Sequence, residues 1–220
     1  LMSHRGGQTL ATILSVLRDE LGYFVSTPQI IKAEDHGVPQ KRGRVFLIGF
    51  RRDLGVNKFN YPKPSGLSVA FSDVKEGQPV SARYYLSTSY LASLRAHRSR
   101  HESKGHGFGF EIIRDDQVAN TIVIGGMGRE RNLVIDHRLK DFTPVTNIKG
   151  EVNREGIRRM TPREWARLQG YPDQFLIPVS DAQAYKQFAN SVAVPAIKTT
   201  AARMLETLEQ AKALAIPSAA

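Results

Sequence analysis

The tightest constraint in this chain lies between residues 161 and 172, which read Thr-Pro-Arg-Glu-Trp-Ala-Arg-Leu-Gln-Gly-Tyr-Pro. Thr161 is a good N-cap, Pro162 suits the first helical position, and Glu164 stands where a capping-box acid belongs. The helix they open must be short. Gly170 can take the left-handed cap conformation and Pro172 forbids continuation. Trp165, Leu168 and Gln169 fall on one side, with Trp165 and Leu168 as apolar anchors, while Arg163 and Arg167 share another face. An ordinary capped helix with a solvated basic face would show the same pattern.

Around this helix the sequence predicts further elements. Leu10, Ile13, Leu14, Leu17 and Leu21 recur at helical spacing, so residues 8–22 read as an amphipathic helix with its stripe in the core and Gly22 as its stop. Residues 23–26 and 29–33 read as short strands, and the apolar run 45–50 as a buried strand. Gln40, Arg42 and Arg44 alternate just before that run, which places their side chains on one face at its mouth. A guanidinium there offers a rigid fork to a base carbonyl or a phosphate; a charged strand edge that discourages pairing is the competing reading. His36 reads as a turn residue.

Residues 87–103 suit a helix with Tyr90, Leu91 and Leu94 inward. Arg95, His97, Arg98, Arg100, His101, Lys104 and His106 crowd a region whose only acid is Glu102, as phosphate neutralisation requires. Phe108 and Phe110 in the glycine-rich run that follows suit core packing or base stacking. Residues 120–124 and 133–135 are strand-like and flank Gly125-Gly126-Met127-Gly128-Arg129-Glu130-Arg131-Asn132. Two strands joined by such a loop fit either a recognition loop, with arginine reading guanine and Asn132 reading adenine, or a mobile hairpin tip. No Gly-Lys-Ser/Thr follows, so the loop is not a phosphate-binding P-loop. Ser180 caps another helix that stops at Asn190, in a left-handed cap. Pro195 opens the last helix, with Ile197, Ala201, Met204, Leu205, Leu208 and Ala211 as an inward stripe.

Charge points the same way. With 31 basic and 21 acidic residues in 220, the net charge of +10 favours a polyanionic partner, nucleic acid before an acidic membrane surface. No apolar run reaches membrane-spanning length, and no signal peptide opens the chain. There is no cysteine. Disulfides, thiolate metal ligands and a cysteine nucleophile are therefore excluded within these residues, and no metal site is expected.

Three blocks carry a resemblance. Residues 161–173 look like the ninth sequence block of the DNA cytosine-5 methyltransferases. Lys186-Gln187-Phe188-Ala189-Asn190-Ser191-Val192-Ala193-Val194-Pro195 looks like the tenth, and Gln40-Lys41-Arg42-Gly43-Arg44-Val45-Phe46-Leu47-Ile48-Gly49 like the eighth. They occur in the family's order, and the resemblance spans nearly the whole chain. It implies methyl transfer from S-adenosyl-L-methionine to C5 of a cytosine flipped out of double-stranded DNA, in restriction-modification or as a Dcm-like enzyme. A cysteine thiolate adds to C6 in that reaction, and the family's Pro-Cys, Glu-Asn-Val and glycine-bearing cofactor blocks are absent here. The chain thus resembles the C-terminal portion of such an enzyme, beginning just after the Glu-Asn-Val block, and alone it is expected to be inactive.

By the resemblance, Arg44 approaches O2 of the flipped cytosine, with Gln40 and Arg42 supporting it. Asn190, Ser191 and Val192 complete the cofactor pocket, although Ala189 stands where the family usually has glycine. Arg95, Arg98, Arg100, Lys104, Arg129, Arg131 and Asn132 belong to DNA reading, and Thr161, Arg163, Glu164 and Arg167 brace the recognition lobe. The expected fold is α/β: the C-terminal part of a Rossmann-like methyltransferase sheet in residues 1–79 and 151–220, with a small, mostly β target-recognition lobe in 80–150. Expected partners are DNA, the missing N-terminal portion and a possible second copy, in a bacterial cytoplasm. Two other readings stay open: a truncated DNA-binding module without catalysis, and a gene remnant that folds poorly.

Overall fold

Short antiparallel pairings organise the first fifty residues. The computed structural model describes residues 1–107 and 109–215, so the expectation for Phe108 lies outside the described residues. Strand β1 (Tyr23–Val25) pairs antiparallel with β5 (Gly49–Arg51), and β2 (Gln29–Lys32) with β4 (Gly43–Phe46). The single strand expected over 45–50 is therefore two. Its halves pair with different neighbours, so the chain bends at Leu47 and Ile48, where the Ile48 carbonyl accepts from Ser26 N at 3.0 Å.

Parallel pairing joins distant segments. β3 (Gln40–Lys41) runs parallel to β7 (Ala119–Asn120), and β6 (Ile112–Ile113) parallel to β8 (Leu133–Ile135), which pairs antiparallel with β9 (Ile157–Arg159). No sheet among the described residues exceeds three strands. The class is mixed α/β as expected, but these short ladders do not form a broad Rossmann-like sheet. The hairpin expected across residues 120–135 is also absent. β7 and β8 belong to different sheets, because their hydrogen bonds go to β3 on one side and to β6 and β9 on the other.

Among the described residues five α-helices complete the fold: α1 (Gln8–Ser15), α2 (Thr88–Glu102), α3 (Pro162–Leu168), α4 (Asp181–Asn190) and α5 (Val194–Ala215). Helix α3 has the predicted capping box. Glu164 N donates to Thr161 Oγ1 at 3.1 Å, and Thr161 N to Glu164 Oε2 at 2.8 Å. Gly170 closes it at φ +75°, and a Cβ there would lie 2.3 Å from Pro195 Cδ, so only glycine lets the end of α3 approach the start of α5. Ser180 sits at the N-cap of α4 but makes no side-chain cap bond, and the helix leaves through Ser191 at φ −78°, ψ 174°. Asn190 is its last helical residue and is not left-handed, since Arg5 is the only described non-glycine residue with positive φ.

Two expected core stripes are only partly covered. α1 buries none of its residues, Leu10, Ile13, Leu14 and Leu17 are half-buried, and Leu21 is exposed. On α5 the inward face is Ala196, Thr200, Met204, Leu208 and Ala211, whereas Ile197, Ala201 and Leu205 are exposed. No described element packs against that outer face tightly enough to bury it. Tyr90 is likewise exposed, unlike Leu91 and Leu94.

The principal core gathers Trp165, Leu168, Tyr185 and Phe188 of α3 and α4 with Phe71, Val74, Ile113, Ala119, Ile122, Val134 and Met160. This packing crosses residues 79/80 and 150/151. A second core packs β2, β4 and β5 against Ala193, Ala196 and the inner face of α5, and a third seats α2 on β8 and β9. No described helix is long and apolar enough to cross a membrane.

Candidate functional site

The 40–44 segment and the break between α4 and α5 meet at one side chain. Arg42 is 3% exposed. Its Nη1 donates to Ile122 O at 3.0 Å, and its Nη2 to Ala189 O at 2.6 Å and Ser191 O at 2.8 Å. Gln40, fully buried, does parallel work. Its Nε2 donates to Leu168 O at 2.6 Å and its Oε1 accepts from Ile122 N at 3.1 Å. Gln169 extends the tie by donating to Phe188 O at 2.7 Å and accepting Val194 N on its own carbonyl at 2.7 Å. Four segments of the chain are thereby fixed around three polar side chains.

Every partner of Arg42 is a neutral carbonyl, and its Nε finds no acceptor among the described residues. Burial and the neighbouring Arg44 charge lower its pKa to about 10, so it remains cationic at neutral pH. Arg44 behaves differently. It is half-buried, its Nη1 donates only to the Gly43 carbonyl at 2.9 Å, and it makes no ion pair among the described residues. Gln40 and Arg42 thus face the interior and serve the scaffold, while Arg44 keeps donors for something outside it. They do not form the single exposed face that alternation suggested, because Arg42 lies between β3 and β4, where the chain changes partner strand.

At the helix break the three expected residues separate. Asn190 is exposed with no side-chain hydrogen bond among the described residues, and Ser191 Oγ donates to Phe188 O at 2.9 Å. Val192 packs beside the second core. Of the set, the Asn190 amide is the exposed polar side chain.

The capped helix turned out to belong to a buried ionic network. Arg158 is 0% exposed. It donates two bonds to Glu164, at 2.7 and 2.8 Å, and one to Asp136 at 3.0 Å. Asp136 also accepts from Arg138 Nε and Nη2, each at 2.8 Å. Burial alone would raise the Asp136 pKa, but the Arg138 hydrogen bonds and the Arg158 charge hold its carboxyl well below the usual range. Arg158 is raised above the ordinary arginine value: burial opposes its charge, and Glu164 and Asp136 more than offset that.

Arg167 is not on a solvated face. It pairs with Asp173 at 2.7 Å and donates to Val74 O at 3.2 Å, and Arg163 donates to Phe175 O at 2.8 Å. Thr161, Arg163, Glu164 and Arg167 therefore brace the structure. Sequence reasoning missed Arg158, Asp136 and Asn153, whose amide clamps Leu86 O and Ile157 O at 2.7 and 2.8 Å. The available signal was an arginine pair inside an apolar strand, at Ile157-Arg158-Arg159-Met160.

The expected DNA contacts also divide. Arg95 pairs with Glu155 at 2.5 Å and Arg98 with Glu102 at 2.7 Å. Arg100 and Lys104 are exposed and unpaired among the described residues. Arg131 reaches Glu111 at 3.4 Å, and Arg129 stands 5.6 Å over the Tyr185 ring. Asn132 is fully buried. Its Oδ1 accepts Asn120 N at 2.8 Å and its Nδ2 donates to Asn120 O at 3.3 Å, so both ends of the amide already serve the scaffold. The expectation that it reads adenine is corrected on that ground. The glycine-rich loop folds back on itself. A Cβ on Gly128 would lie 2.2 Å from Val123 O, and the loop, Trp165 and Tyr185 enclose a cavity of about 240 Å³. No metal-binding group of three or more His, Cys, Asp or Glu occurs among the described residues.

Comparison with known proteins adds the following. A family model described as C-5 cytosine-specific DNA methylase matches residues 1–206. The Type II methyltransferase M.HpaII of Haemophilus parainfluenzae is 64% identical over 208 residues, which are 94% of this chain and 58% of that protein. M1.ScrFI of Lactococcus lactis subsp. cremoris is 36% identical, over 96% of this chain and 51% of its own length. The chain thus spans a little over half the length of these relatives. Among solved structures, the S. pombe Dnmt2 methyltransferase superposes with a TM-score of 0.65 at 17% identity, covering 91% of this chain and 62% of that one. The Entamoeba histolytica methyltransferase EhMeth gives 0.61 at 16%, covering 91% and 57%. These two superpositions show a shared fold.

Proposed function

Because this chain belongs to the C-5 cytosine-specific DNA methylase family, we propose that it carries the base-orienting, DNA-reading and part of the cofactor-binding function of a restriction-modification cytosine-5 methyltransferase. The carrying observation is the bonding of Arg42 to Ile122 O, Ala189 O and Ser191 O. It sets the 40–44 turn, which this reading takes to orient the base, one hydrogen bond from the α4–α5 break, which it takes to face the cofactor.

On this reading Arg44 donates to O2 of a cytosine rotated out of double-stranded DNA, and Gln40 and Arg42 hold its backbone in place. Rotation is required because C5 and C6 cannot be attacked within the stack. Asn190 and Val192 fit one edge of an S-adenosyl-L-methionine site, the first through its exposed amide and the second through apolar contact; the bound cofactor supplies the methyl group. Ser191 acts through its backbone. Arg100 and Lys104 neutralise phosphates, and Arg95, Arg98, Arg129 and Arg131 join them by exchanging their present partners for DNA. We take residues 80–150 as the recognition segment, with 1–79 and 151–220 on the catalytic side.

A thiolate must come from elsewhere, since the chain has no cysteine. The partner is the cysteine-bearing N-terminal portion of such an enzyme. The half-covered faces of α1 and α5 suit its docking, or self-association without it.

The test is complementation. The chain is mixed with a separate polypeptide carrying the cysteine-bearing N-terminal portion of a family member, labelled S-adenosyl-L-methionine and a panel of duplexes with GC-containing sites. Methyl incorporation is expected for the mixture and for neither part alone. Arg44→Ala should lower it by roughly a hundredfold, as for loss of one well-placed donor. No incorporation across the panel would refute the proposal.

A further inference from the structure

One cluster lies outside every role assigned so far. His97 and His101, one turn apart on α2, hold their rings 4.4 Å apart, and His106 brings a third ring to 6.5 Å from His101. Half of the chain's six histidines thus occupy the end of one helix and the turn after it. Arg100 and Lys104 carry exposed positive charge beside them. The acid on this helix end, Glu102, is engaged by Arg98, which also donates to Phe110 O at 3.3 Å. Glu155, from another segment, is engaged by Arg95 of the same helix. Both of these carboxylates are therefore committed to arginines.

Desolvation, then the neighbouring His97, His106, Lys104 and Arg100, oppose charging of His101, whose pKa lies below the ordinary value. A polyanion laid across this surface reverses the balance, because each phosphate favours the charged form of any imidazole beside it. Binding and proton uptake are then the same event seen from two sides. The helix end adds to this, since the C-terminal pole of α2 favours cations. Metal ligation is the other chemistry three histidines could serve, but they do not form a metal-holding group among the described residues.

We infer that His97, His101 and His106, with Arg100 and Lys104, form a proton-linked phosphodiester-binding surface, so that duplex DNA binds this chain with uptake of protons near neutral pH. The inference rests on the DNA-binding reading above and adds to it a pH dependence located on one surface. Histidine suits the task because its charge changes between about pH 5 and 8.

The experiment measures binding of a short fluorescein-labelled duplex to the full 220-residue chain at fixed salt, from pH 8 to pH 5.5. Affinity should rise on acidification by about tenfold for each imidazole whose pKa the phosphates raise by one unit. The triple variant His97→Gln/His101→Gln/His106→Gln should lose most of the gain on acidification. Circular dichroism melting checks that it folds. Calorimetry of the unmodified chain in two buffers of different ionisation enthalpy should register net proton uptake on binding, a readout that needs no variant. Binding that is flat with pH, or a gain that survives intact in the triple variant, overturns the proton linkage while leaving the DNA reading standing. Absence of duplex binding at every pH overturns both. Acid-enhanced binding to phosphatidylserine vesicles without duplex binding would reassign the surface to lipid and overturn the inference as stated.

Discussion

Two buried arginines, Arg158 and Arg42, solve the same problem in different ways. Arg158 lies between two carboxylates and is fully compensated. Arg42 holds its charge among carbonyls alone. Desolvating a cation costs several kcal/mol, and a carboxylate partner recovers more of that cost than peptide dipoles do. The brace around Arg158 is thus internally complete and acts as scaffold. The knot around Arg42 is electrostatically open, and it sits where the proposed base and cofactor groups converge. A scaffold can close its charges; a site that must receive charged ligands keeps one sign in excess.

The contrast can be broken experimentally. The largest effect is expected for Arg158→Met, which strands Glu164 as a buried acid without an ion-pair partner and leaves Asp136 to Arg138 alone. Breaking such a pair costs about 3–5 kcal/mol, to be read as a loss in chemical-denaturation free energy. Arg42→Met should cost less, roughly 2–3 kcal/mol for its charge-assisted bonds, because it also removes an uncompensated cation. Equal losses for the two variants would mean that carbonyls compensate Arg42 as fully as carboxylates compensate Arg158.

Acid sharpens the comparison from the other side. Asp136 has a folded pKa below its ordinary value of 3.8. Its contribution is therefore fully present above pH 3.8 and fades as pH falls below that value toward the depressed one. Urea midpoints measured from pH 5 downward should fall more steeply for the unmodified chain than for Asp136→Asn. The Arg42 knot contains no carboxylate and should add nothing to that slope. The smallest effect is expected at Arg44. Its Ala variant should change stability by less than about 0.5 kcal/mol, since it bonds only to Gly43 O, even as it lowers methyl transfer in the complemented assay. A large stability loss would move Arg44 into the scaffold with Arg42.

The same contrast shows how far the sequence could be read. Helix α3 was legible to the residue, with cap, proline, terminating glycine and buried tryptophan all found where the pattern put them. Strands β1 and β2 and helix α2 were placed nearly as well. The 45–50 run and the 120–135 segment were misread as one strand and one hairpin, because strand identity depends on partners that periodicity does not name. The α5 stripe was found at Met204, Leu208 and Ala211 but misplaced at Ile197, Ala201 and Leu205, which are exposed, and the α1 stripe is only half covered.

Sequence alone determined the family blocks, the capped helix and the surplus of positive charge. Each of these is a property of neighbouring residues or of composition. Only the tertiary structure divided Arg42 from Arg44, turned Asn132 and Arg167 into ties, and set Arg158 between Asp136 and Glu164. The reason is distance along the chain. A capping box closes over three residues with backbone geometry fixed in advance, whereas Arg42 finds Ser191 across 149 residues, and Gln40 finds Leu168 across 128. Such bonds exist only once the strands and helices have packed, and packing decides which of two similar guanidinium groups is enclosed.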